Sequence, residues 1–137
     1  MAQNDIIMIS QHIRLKDYKW DVVILYNVGV EDLNEVINTL EEICYEPHFI
    51  NQAYNNIKSG APNTGFIYTN YSTRQSLIVI GKATSSKEFI DTIVHEANHL
   101  QSHIATYYNL DEKGEEVSYL IGYVVKQMYR VFKKLIK

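Results

Sequence analysis

The sequence predicts an α+β domain in which a small antiparallel sheet packs on a helix in the second half of the chain and on a long C-terminal helix. Three observations predict it. Residues 21–28 (DVVILYNV) are short and rich in β-branched side chains, the signature of a buried strand. Residues 66–70 and 75–80 are strand-like runs joined by a polar turn, which reads as a hairpin. Apolar residues recur at three- and four-residue spacing in the remaining long segments, the period of amphipathic helices. At 137 residues, the chain suits one domain, 1–137, long enough to bury its own core.

Taken in order, Gly29 ends the first strand, and a helix follows over about 32–45. Its stripe is Leu33, Val36, Ile37, Leu40 and Cys44, and Asp32 with Glu35 resembles a capping box. Pro47 suits the first turn of a second helix. That helix runs to Lys58 with Phe49, Ile50, Ala53, Tyr54 and Ile57 inward, and Gly60 stops it. After the hairpin, Ser85 and Glu88 form S-x-x-E, a helix-start signal. Phe89, Ile90, Ile93, Ala97, Leu100 and Ile104 then share one face. The last helix spans 112–136, with Val117, Leu120, Ile121, Val124, Val125, Met128, Phe132 and Leu135 along its stripe. Lys133, Lys134 and Lys137 lie at its end, where cations favour the helix dipole.

Composition narrows the function. Hydrophobic residues make up 46% and charged residues 21%, and the formal net charge is −3. This is an ordinary globular balance, with no basic excess to favour nucleic acid or an anionic membrane. The single cysteine, Cys44, has no internal disulfide partner and reads as a buried thiol. Acidic Asp5 precedes the short apolar run 6–9, unlike a secretory leader, and no apolar run approaches the ~18 residues of a membrane span. The expected location is cytoplasmic.

The chemistry concentrates at His95-Glu96-Ala97-Asn98-His99, an H-E-x-x-H pattern within the helix that starts at Ser85. Residues four apart share a helix face, so both imidazoles can reach one metal ion. Zinc accepts such a nitrogen pair, and the glutamate can take a proton from metal-bound water. With the buried stripe centred on Ile93, Glu96 lies about 60° from its middle, His99 about 120° and His95 about 160°. The three therefore share a flank off the deepest core. The competing reading is a helix that carries two surface histidines.

A catalytic zinc ordinarily has three protein ligands. His103 lies ~6 Å further along a straight helix than His99, too far for the same tetrahedron. Glu115 and Glu116 open the final helix. Glu115 shares a side with Ser118 and Gly122, small residues that would allow close helix approach, and is preferred over Glu116. Both acids also suit a helix N-terminus for electrostatic reasons alone. For Glu115 to return to His99, the motif helix must stop within 105–108 and residues 109–114 must fold back.

The order hairpin, H-E-x-x-H helix, then glutamate on a second helix resembles the gluzincin branch of the zincin metallopeptidases. More narrowly, HEANH, then Tyr107-Tyr108-Asn109-Leu110-Asp111, then Glu115-Glu116-Val117-Ser118-Tyr119-Leu120 looks like short prophage-encoded proteins described as metallopeptidases by inference. The likeness covers about residues 75–130. It implies a minimal zincin-like domain with Zn2+ bound by His95, His99 and Glu115, Glu96 as general base, and a peptide or protein substrate. Two features depart from the family pattern. Tyr119 stands where larger gluzincins often have an aspartate, and no transition-state histidine or tyrosine from a further subdomain has a counterpart.

Tyr107, Tyr108 and Tyr119 are the nearest tyrosines in sequence for an oxyanion donor, although each also suits amphipathic packing. Asp91 could orient His95, or be a plain surface acid. Residues 77–80 are either the sheet edge that takes a peptide strand or a central core strand. The leading expectation is a zinc peptidase. The alternative is a non-catalytic phage-type binding or structural protein on the same fold, and a third is a regulatory protease acting on one protein.

Overall fold

The computed structural model describes residues 7–44 and 46–136. Asp5, Ile6, Tyr45 and Lys137, which figure in the expectations above, lie outside the described residues. The chain is α+β, with strands β1 (Ile9–Leu15), β2 (Trp20–Val28), β3 (Gly65–Asn70) and β4 (Gln75–Gly81) and helices α1 (Leu33–Ile43), α2 (Pro47–Lys58), α3 (Ser86–Tyr108) and α4 (Glu115–Phe132). The sheet order is β1-β2-β4-β3. It is mixed, not antiparallel as expected: β1–β2 and β3–β4 are antiparallel, but β2 and β4 run parallel at the centre. A parallel pair needs a crossover, and α1, α2 and β3 supply it.

Side chains alternate between two cores. Trp20, Val22, Ile24 and Tyr26 on β2, with Ile78 and Ile80 on β4, face α3 and α4. Leu25 and Val28, with Leu77 and Val79, face α1 and α2. Being covered on both faces, β2 and β4 are apolar at nearly every position. The strand β1 was not anticipated. Its inward residues Ile13 and Leu15 are buried, but polar Ser10, Gln11, His12 and Arg14 interrupt them. The turn that follows is a 3-10 turn ending in left-handed Lys19, without glycine or proline to mark it.

Local chemistry fixes the helix ends. Ser85 Oγ accepts from the Glu88 amide at 3.2 Å and caps α3. The helix stops at Tyr108 within the expected window. Asn109 takes a left-handed φ of 58° there, and the Leu110 amide reaches back to the Ala105 carbonyl at 2.8 Å. Asp32 caps differently than expected. Its carboxylate accepts from the Gly29 amide at 2.9 Å, closing the short turn that precedes α1. Phe49, Tyr54 and Ile90, expected inward, are 40%, 40% and 41% exposed, and Cys44 is half-buried just beyond α1. Among the described residues, no helix is long and apolar enough to cross a membrane.

Helix α3 lies close against β3. A Cβ built at Gly65 would meet Thr92 Cγ2 at 2.8 Å and Glu96 Cγ at 3.2 Å, so glycine permits this approach. Gly65→Ala is expected to destabilise the fold by about 1–3 kcal/mol through overpacking. In urea unfolding, Thr92→Ser, which deletes the obstructing methyl, should recover part of that loss in the double mutant. Simple additivity of the two changes would count against the contact.

Candidate functional site

Helix α3 presents its two flanks to opposite edges of the sheet. On one, Thr92 and Glu96 approach Gly65, and His103 Nδ1 hydrogen-bonds Thr69 Oγ1 at 2.8 Å. This flank follows edge strand β3. On the other, α3 packs against α4, and Gln11 of β1 donates to the Gln127 carbonyl of α4 at 2.8 Å. Residues 77–80 belong to β4, which is paired on both sides, so the free edge beside the motif is β3.

His95 and His99 converge. Their Nε2 atoms stand 3.1 Å apart, with ring centroids at 4.7 Å and planes at 80°. Both residues are exposed. Glu96 beside them is buried, only 4% exposed, in the order the helical phase predicts. Burial raises its pKa above the ordinary carboxylate value, while His95 and His99 pull it down. The carboxylate is thus held largely out of water next to two imidazoles, a setting that favours a proton acceptor.

The donor set can be tested against zinc. Zinc–nitrogen bonds of about 2.0–2.1 Å span a 3.1 Å separation with an angle near 100° at the ion, close to tetrahedral. The imidazole pair therefore fits two ligand positions.

Glu115 is not brought to the third. Glu116 accepts from Tyr18 Oη at 2.9 Å, and Tyr108 Oη donates to the Tyr18 carbonyl. These bonds tie the start of α4 and the end of α3 to the β1–β2 turn. About 14 Å of helix separates His99 from Tyr108, and β1 is three strand spacings, about 14 Å, from β3. The close helix approach expected along Ser118 and Gly122 is absent: both are exposed, and nothing lies within 4 Å of a Cβ built at Gly122. Among the described residues, no three His, Cys, Asp or Glu side chains group to hold a metal.

The other expected helpers also lie elsewhere. Asp91 is exposed, and no hydrogen bond joins it to His95. Tyr107 packs edge-on to Trp20 at 5.5 Å, and Tyr119 is 74% exposed on α4. Tyr71 in the β3–β4 turn lies near this flank, its ring 6.0 Å from that of His103 and stacked on Tyr107 at 6.4 Å.

A hydrogen-bond chain missed in the sequence crosses the sheet beneath. Trp20 Nε1 donates to Ser76 Oγ at 3.0 Å, Ser76 and Thr69 hydroxyls meet at 2.7 Å, and Thr69 reaches His103. Its direction follows from the donors. Indole N–H only donates, and every hydrogen of the chain finds an acceptor when buried Ser76 donates to Thr69 and Thr69 donates to His103 Nδ1. In that arrangement His103 is neutral with the proton on Nε2. Desolvation, and then the nearby His99, lower its pKa accordingly. The legible signal was a polar residue at the core-facing phase of each strand, Thr69 beside Ile67 and Ser76 beside Ile78.

No family model, curated protein or solved structure matches the chain.

Nitrogen-15 shifts of His103 are expected to report an Nε2–H tautomer, and Thr69→Val should abolish that preference. Because the folded pKa of His103 lies below the unfolded one, stability present above about pH 6.5 is lost as pH falls. His103→Gln should flatten that slope in pH-dependent thermal melts. A protonated His103 at neutral pH would contradict both.

Proposed function

We propose that the chain is a metal-assisted peptide hydrolase centred on His95, Glu96 and His99, with Glu115 outside the ligand set. The reading is carried by one observation: two imidazole nitrogens 3.1 Å apart beside a carboxylate that is 4% exposed. His95 and His99 would hold the cation. A bound zinc ion would supply Lewis acidity and a water acidified toward neutral pH.

The remaining work falls to the chain. Glu96 carries a pKa raised by burial, so its carboxylate accepts a proton more readily than a solvated one would and can return it to a leaving amine. Gly65 keeps the β3 backbone close to the Glu96 stem. An extended peptide beside the free edge of β3 would run along the same flank as the histidines. His103, with its proton on Nε2, is the neutral donor on that flank.

A second reading is favoured by the ligand count. Among the described residues no third His, Cys, Asp or Glu groups with the pair, which leaves the zincin-like ligand triad suggested by the motif without support. A binding or structural protein that keeps the helix without hydrolysing anything fits that observation.

Metal analysis of protein purified without added zinc separates the readings. The expected result is about one zinc per chain, lost in His95→Ala and kept in Glu115→Ala. Glu96→Gln should keep the metal and lose about 10²–10⁴-fold in peptide cleavage. Protein that binds no zinc would sink the proposal. Full zinc binding with Glu96→Gln leaving every measurable function intact would favour the non-catalytic reading.

A further inference from the structure

The parallel strands β2 and β4 send the chain to opposite faces of the sheet. After Val28 it turns into α1 and α2, which pack on one face. After Gly81 it turns into α3, which packs on the other. Where neighbouring parallel strands part in this way, a crevice opens at their carboxyl ends, and open α/β sheets bind ligands there. A cavity of about 520 Å³ occupies that position, within the range of small-molecule sites. It is formed separately from the histidine pair, neither of whose residues lines it.

Its walls have two characters. Val28, Ile57, Phe66 and Val79 make an apolar side. Among the described lining residues, Lys82 is the single cation and Glu31 the single acid. Lys82 Nζ holds Glu31 Oε1 at 2.5 Å. The Glu31 carboxylate folds over Gly29, where a Cβ would stand 2.5 Å from Oε2, so a larger residue there would push the carboxylate aside. Lys82 and the Glu31 amide hold that carboxylate in its charged form, with a pKa below the ordinary value. Glu31 itself is mostly in solvent, its side chain 63% exposed, and can swing away at little cost in packing.

We propose that this cavity binds a small organic acid, its carboxylate replacing that of Glu31 on Lys82 and its apolar body lying against Val28, Ile57, Phe66 and Val79. Glu31 then acts as an internal competitor that covers the lysine until the ligand arrives. The apolar wall selects an acid with a hydrocarbon body over a bare anion, and the lysine selects a carboxylate over a neutral molecule of the same shape.

The test is an amide chemical-shift titration of the full chain with hexanoate, with hexanol and inorganic phosphate as comparison probes. Hexanoate should move the amides of Gly29, Gly81 and Lys82. Glu31→Ala should tighten its binding about 5- to 10-fold, Lys82→Met should weaken it at least 10-fold, and Lys82→Arg should retain it. Hexanol should bind at least 10-fold more weakly than hexanoate. Equal binding of hexanol and hexanoate, phosphate binding more tightly than hexanoate, or no response even in Glu31→Ala would each overturn the proposal.

Discussion

The parallel contact between β2 and β4 is the constraint on which the rest of this fold depends. Parallel neighbours cannot be joined by a tight turn, so the chain must travel between them, and here it builds α1, α2 and β3 on the way. Both strands are then covered on both faces, which requires apolar residues at consecutive positions and not only alternate ones. Residues 22–25 (VVIL) and 77–80 (LIVI) meet that demand. The pairing also puts β3 at the sheet edge and directs α3 to the face opposite α1 and α2. The flank of α3 that carries the motif follows from this geometry.

Much of the fold was legible because its signals are local. The capping serine at 85, proline at the first turn of α2, and the β3–β4 hairpin are each specified within a few residues, and the structure has them at those positions. The mixed character of the sheet was not legible. It depends on pairing Asp21 with Gln75 and Val22 with Ser76, residues more than fifty positions apart whose alternation reads the same in either direction. The strand β1 escaped for another reason. Four of its seven positions are polar, and the turn after it uses a left-handed lysine in place of the usual glycine or asparagine.

The site divides in the same way. Helical phase correctly separated buried Glu96 from the exposed His95 and His99, because Ile93 fixes the buried centre and the rotation per residue is constant. Phase does not say which neighbouring element each flank meets. Small residues on a helix can mark a seam between helices or merely an exposed side, and Ser118 and Gly122 are exposed. The preference for Glu115 rested on the first meaning. The acids at the start of α4 instead stand where a helix dipole favours them, with Glu116 also engaged by Tyr18.

What fixes the motif helix in place can be argued from two contacts at different points along β3. Near the start of the strand, absence of a side chain at Gly65 lets Thr92 and Glu96 settle onto the backbone. Near its end, Thr69 holds His103 through a chain of hydrogen bonds rooted in a tryptophan with no exposed surface. One contact is steric and the other directional. Either alone would leave α3 free to slide or roll along the strand, but the two together set both translation and rotation. A buried polar chain is costly unless all its members are satisfied, and this one is satisfied only when His103 faces β3. That orientation carries His99 and His95, one and two turns earlier, toward the open edge of the sheet. The histidine pair is thus exposed by the same contacts that bury Glu96.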